Sequence, residues 1–152
     1  MTRPFQFRLE RVRELREHAE DQAREELASS LAIRMKGEAM LRAAAENVSG
    51  ARDEARRRSS SMDLSGSDLI ALQAYMERAE RARESAALEL DRREAEVDAR
   101  RTALTQKSQE RQVLERLKER RAEDHRVESA RREGVLLDEM ALTQHRRTGA
   151  AL

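Results

Sequence analysis

Three histidines, His18, His125 and His145, are the side chains of this sequence best suited to ligate a metal or to carry a proton near neutral pH. None stands in the Glu-x-x-His spacing of a di-metal helical bundle. None belongs to a His-Glu-x-x-His arrangement. They read as solvated surface histidines. There is no cysteine, hence no disulfide framework and no thiolate metal site. Carboxylates are plentiful, but each lies within a turn of a basic residue, as in Glu10/Arg13, Glu14/Arg11 and Glu115/Lys118. Such pairs are ordinary helix-face ion pairs. Paired catalytic carboxylates need burial to separate their pKa values, and a chain this poor in large apolar residues offers little. There is no glycine-rich phosphate loop and no nucleophile elbow. Asn47-Val48-Ser49 matches a glycosylation triplet, yet it falls mid-helix in a sequence with no signal-peptide pattern. The expectation is a non-enzymatic, binding protein with no cofactor, no metal and no small-molecule substrate.

The elements that would carry binding residues follow from composition. Of the 152 residues, 40% are charged and 2% aromatic, with one tyrosine (Tyr75), two phenylalanines (Phe5, Phe7) and one proline (Pro4). Such a chain cannot fill a thick core, but it can fill a seam between two helices, which needs two or three apolar residues per seven. High Ala, Leu, Glu and Arg content favours long helix over disorder. Net charge is +1, so no overall field attracts nucleic acid or an acidic membrane. No segment approaches the ~20 apolar residues of a membrane span.

One stretch reads as unable to be helix, Ser59-Ser60-Ser61-Met62-Asp63-Leu64-Ser65-Gly66-Ser67. The expected architecture is therefore all-α: two long helices in an antiparallel coiled-coil hairpin, a single domain over residues 1–152. Helix 1 is placed at about 4–58, with Pro4 in its first turn and Thr2 or Arg3 as cap. The turn covers about 59–67, helix 2 about 68–145 with Ser65 or Ser67 as its cap, and a loose tail 146–152. The first stripe is Phe5, Leu9, Val12, Ala19, Ala23, Leu27, Leu31, Leu41, Ala45 and Val48. Its spacing of about 3.6 residues implies little supercoil. Folding about residues 62–64 pairs positions whose numbers add to about 126, so Leu9 faces Leu117, Val12 faces Leu114 and Leu27 faces Ala99. Helix 2 is the longer, so residues 122–145 overhang and leave Val127, Val135 and Leu142 as a candidate binding surface, or a dimerisation stripe.

The order of several short motifs adds a resemblance. Phe5-Gln6-Phe7-Arg8-Leu9 at the start, Ala23-Arg24-Glu25-Glu26-Leu27, Leu72-Gln73-Ala74-Tyr75 after the turn, Val113-Leu114-Glu115-Arg116-Leu117-Lys118 and Asp138-Glu139-Met140-Ala141 together resemble the flagellar export protein FliJ family, in order and over nearly the whole chain. Arginine-heavy composition, Arg83 within the seam and Gly134 depart from its pattern. The resemblance implies a coiled-coil stalk, similar to the γ stalk of rotary ATPases. It would be cytoplasmic and peripheral at the inner-membrane export apparatus. It would bind the hexameric export ATPase and promote its ring assembly, contact the export-gate membrane protein and meet export chaperones. The open end of the hairpin, with Phe5, Phe7, Arg8 and Arg11, is the expected ATPase contact, because aromatic and arginine side chains are enriched at interfaces. On a helix Phe7 lies about 200° from Phe5, off the seam. Tyr75 is the expected gate contact or a residue packed over the seam. The same physics would suit the stalk of a virulence-type secretion system, or a generic coiled-coil scaffold or homodimer.

Overall fold

The computed structural model describes residues 4–61 and 63–149. Met62 in the turn, the proposed caps Thr2 and Arg3, and tail residues 150–152 lie outside them. Two helices are present and no strand among the described residues: α1 (Glu10–Ser59) and α2 (Gly66–Gly149). The fold is the all-α helical hairpin expected from sequence. The chain forms two compact units. One comprises Met1–Glu20 with Lys107–Leu152, the other Asp21–Gln106.

The turn-bearing unit, Asp21–Gln106, contains every fully buried apolar side chain among the described residues: Ala23, Val48, Ala51 and Val97. With buried Ser30 and Gly37, α1 contributes a small residue at 23, 30, 37 and 51. With half-buried Ala44 between 37 and 51, these follow a seven-residue repeat, the period of a coiled-coil seam, rather than the 3.6-residue stripe expected. Leu27, Leu31 and Leu41 are half-buried and Ala45 is exposed. Small residues set a short interhelical distance. At Gly37 a Cβ atom would lie 3.0 Å from the Arg93 Cδ and 3.4 Å from a Leu90 methyl. Arg93 crosses the seam at this point and donates to the Ile33 carbonyl over 3.1 Å. Arg100 bridges likewise to Glu26, and Arg52 to Glu80.

The turn is held by polar side chains. Ser59, Ser60 and Ser61 each donate a hydroxyl to the carbonyl three residues back, at 3.0, 2.7 and 2.8 Å. They thereby satisfy the last carbonyls of α1, which have no intrahelical donor. Ser65 caps α2: its Oγ accepts from the Asp68 amide at 3.2 Å, and the Asp68 carboxylate accepts from the Ser65 amide at 3.1 Å. This is a reciprocal capping box. The Ser65 hydroxyl and amide hold the Asp68 carboxyl below the ordinary aspartate value.

The other unit pairs the start of α1 with α2 beyond Lys107, and its seam is ionic. Lys118 meets Glu10 at 3.0 Å, Arg13 meets Glu115 at 3.5 Å, and Arg16 meets Glu110 at 2.6 Å. Arg111 closes on Glu20, whose side chain is 3% exposed. Leu9 and Val12, expected in the seam, are 40% and 39% exposed. The expected register is nevertheless visible in Arg16–Glu110, and in Glu26–Arg100 of the turn-bearing unit. Glu20–Arg111 is displaced from it by about a turn.

Helix α1 begins at Glu10, not near Pro4. Residues 4–7 are outside any helix, and the Glu10 amide donates to the Phe7 carbonyl at 3.1 Å. A helical start would turn Phe5 and Phe7 to opposite sides. Leaving the helix lets both rings reach the same groove. At the far end α2 continues to Gly149, so residues 146–149 are helical rather than loose.

Candidate functional site

The unit formed by the N-terminal segment and the second half of α2 holds the site. Phe5, Gln6, Phe7, Arg8 and Leu9 on one side, with Leu117, Arg121, Asp124 and His125 of α2 on the other, line an open groove of about 610 Å³. Phe5 and Phe7 are each half-buried. The Phe5 ring lies against the His125 imidazole, centroids 5.8 Å apart and planes inclined at 55°. This tilted geometry is favourable for an aromatic pair. The groove is apolar at its base and carries Arg8, Arg121 and Asp124 at its rim.

The ionic seam starts directly behind it. Glu10 sits between Arg13, at 2.7 Å, and Lys118. Arg13 first, and Lys118 next, hold its carboxyl below the ordinary glutamate value. The Arg13 guanidinium is correspondingly raised, through its hydrogen bond to Glu10. Both groups therefore stay charged across the physiological range, so this end of the seam is a fixed ion network rather than a titrating one.

Of the sequence-predicted contacts, Phe5, Phe7 and Arg8 line the groove together. Arg11 is exposed on the first turns of α1 but is not part of the lining. Because residues 4–7 are not helical, the helical phase that separated Phe7 from Phe5 does not apply, and both rings serve one surface. Tyr75 belongs to the turn-bearing unit, on α2, and is 46% exposed. It is not among the residues lining the nearby shallow groove of Leu69, Leu72, Gln73 and Met76. Asp124 and His125 were not foreseen as groove residues. Extending the expected register to Phe5 points to Arg121, and His125 lies one turn further on.

Beyond His125, only Ser129 of α2 is half-buried among the described residues. Positions 130–149 are all exposed, including Val135, Leu137, Met140 and Leu142. The expected overhang at 122–145 thus begins later, at 130, since Ala122, His125 and Ser129 are half-buried and His125 meets Phe5. No group of three or more potential metal ligands is found among the described residues, and no described helix is long and apolar enough to cross a membrane.

A family model described as "Flagellar FliJ protein" matches residues 5–150. No curated protein matches the chain, and no solved structure matches it.

Proposed function

We propose, from the premise that this chain belongs to the flagellar FliJ family and is a component of the flagellar export apparatus, that it works without catalysis of its own, as a stalk-like adaptor. In this reading the chain binds the hexameric export ATPase, promotes its ring assembly, and links it to the export-gate membrane protein and to export chaperones. It acts in the cytoplasm at the face of the inner-membrane apparatus. The observation that carries the reading is the Phe5/Phe7 groove. It combines two half-buried aromatic rings with an exposed Arg8 on a segment held outside helix. Interface energy concentrates in aromatic and arginine anchors of this kind.

The test is capture of the cognate ATPase by the full chain, followed by its oligomerisation and turnover. The wild-type chain is expected to bind and to raise both. A Phe7→Ala, Arg8→Ala, Arg11→Ala variant is expected to weaken binding by roughly tenfold or more, since anchors of this type each account for about a tenfold change or greater. Circular dichroism should be unchanged, because Phe7 and Arg8 lie outside α1. Unchanged ATPase affinity would remove the groove from the interface.

Tyr75 is proposed as a gate contact, on its exposure in the turn-bearing unit. Tyr75→Ala is expected to reduce capture by the gate's cytoplasmic domain while leaving ATPase binding intact. Full gate binding by that variant would return Tyr75 to a packing role.

A further inference from the structure

Over residues 123–147, helix α2 carries a charge pattern that pairing within the chain uses only in part. Acidic and basic doublets alternate: Glu123-Asp124, Arg131-Arg132, Asp138-Glu139 and Arg146-Arg147. The steps between them are eight, seven and eight residues, close to two helical turns. Arg131, Arg132, Asp138 and Glu139, with Asp124 and Arg146, therefore fall within about 60° of Val135 around the helix, on a face that also carries Leu142; Val135 and Leu142 are 53% and 59% exposed. Arg126 pairs with Glu123 and Arg132 with Glu128 along the helix. The side chains of Asp124, Arg131, Asp138, Glu139, Arg146 and Arg147 make no ion pair among the described residues. Elsewhere in the molecule most arginines of the seam are engaged across it.

The pattern is complementary to itself in one orientation. Two copies laid antiparallel about Val135 set Arg131 against Glu139, Arg132 against Asp138 and Asp124 against Arg146. No like charges then oppose. Parallel, in-register pairing sets every doublet against its own kind, which is destabilising. Val135 meets its own counterpart at the centre. This is how charged flanking positions select partner and orientation in helical pairs.

We propose that residues 123–147 of α2 form a self-association surface whose partner is a second copy of this chain, bound antiparallel about Val135. The pairing covers the exposed Val135 and gives the charges around it partners of opposite sign. A surface of some three heptads, with exposed ion pairs that each contribute little, gives a reversible dimer rather than an obligate one. Its strength depends on salt, because raising salt from 0.1 M to 1 M shortens the screening length from about 10 Å to about 3 Å.

The experiment uses the full chain alone, so its outcome does not depend on the export reading. Sedimentation is run from about 1 µM to about 100 µM, the range in which weak dimers exchange with monomer, at low and high salt. A concentration-dependent dimer that weakens at high salt is expected. Arg131→Glu with Arg132→Glu, and separately Asp138→Arg with Glu139→Arg, should each raise the dissociation constant by roughly tenfold or more, because attraction becomes repulsion at both symmetric contacts. Mixing the two variants should restore a heterodimer, since the reversed charges then match. The chain has no cysteine, so a single Val135→Cys is a clean register probe that leaves every charge in place. It should form a disulfide-linked dimer on mild oxidation, whereas Gln144→Cys should not. A monomer at every concentration, a dimer indifferent to the reversals, a mixture that fails to recover, or equal cross-linking at both cysteines would each overturn the proposal. Should a reversal variant lose helicity, the cysteine pair decides alone.

Discussion

Replacing Val97 with aspartate is expected to lower the melting temperature by about 10 °C, the largest loss available from one apolar position here. Val97 is 1% exposed, the most buried apolar residue among the described residues. Two terms decide the size of the effect. Full burial of a valine is worth about 1.5–3 kcal/mol. A carboxylate in its place adds the cost of a charge in the seam, which is large unless a partner is at hand. Val97→Ala separates the terms. It loses most of the burial but recovers roughly half a kcal/mol of helix propensity, because the β-branched side chain is restricted on a helix. It should therefore cost only about 1–2 kcal/mol, a few degrees. Thermal unfolding followed by circular dichroism compares the two. Equal shifts for alanine and aspartate would mean that Val97 is not dry in solution and does not form the core of the turn-bearing unit.

That core is also where the sequence is least transparent. The two helices and their break are plainly written. Ser59 to Ser67 lacks apolar residues at helical spacing, and on either side of it strong helix formers run unbroken. The fold-back point then dictates the register, and Arg16–Glu110 and Glu26–Arg100 fall where it predicts. What a search for apolar residues passes over is Ser30 and Gly37, which complete the buried repeat with Ala23 and Ala51. A small residue contributes to a seam by what it omits, so hydrophobicity carries no trace of it. The start of α1 is obscured for another reason. Pro4 is compatible with a first helical turn. Only the placement of both phenylalanines against α2, a contact across more than a hundred residues, favours leaving the helix. Of the candidate site, the residue types were legible and the geometry was not. Phe5, Phe7 and Arg8 stand out in so aromatic-poor a chain, whereas Asp124 and His125 become groove residues only once the two segments are paired.

The same contrast between written and unwritten contacts gives the second large effect, at Glu20. Its side chain is buried to 3% exposure in the ionic unit and is held by Arg111, whose guanidinium is raised above its ordinary value mainly by this hydrogen bond. A buried ion pair is costly to break and cheap to replace. Removing Arg111 withdraws a cross-helix partner from a buried carboxylate, while replacing both with matched apolar residues also removes the desolvation cost. Arg111→Leu is therefore expected to lower the melting temperature of the Met1–Glu20 and Lys107–Leu152 unit by on the order of 5–10 °C. The double substitution Glu20→Leu with Arg111→Leu should recover that loss and rise above wild type by a few degrees. The sign of the double variant is the informative quantity. Unfolding of both variants, read by circular dichroism together with amide exchange over residues 10–20 and 107–121, decides it. A double variant as unstable as the single one would mean that the charges themselves hold this end together. Recovery would mean that the ionic seam trades stability for something else. The matched ladder of Glu10–Lys118, Arg13–Glu115 and Arg16–Glu110 suggests what that is. An apolar seam tolerates sliding by a turn, whereas alternating charges penalise it. The pair would then fix the register that brings Phe5 to His125 and so builds the groove.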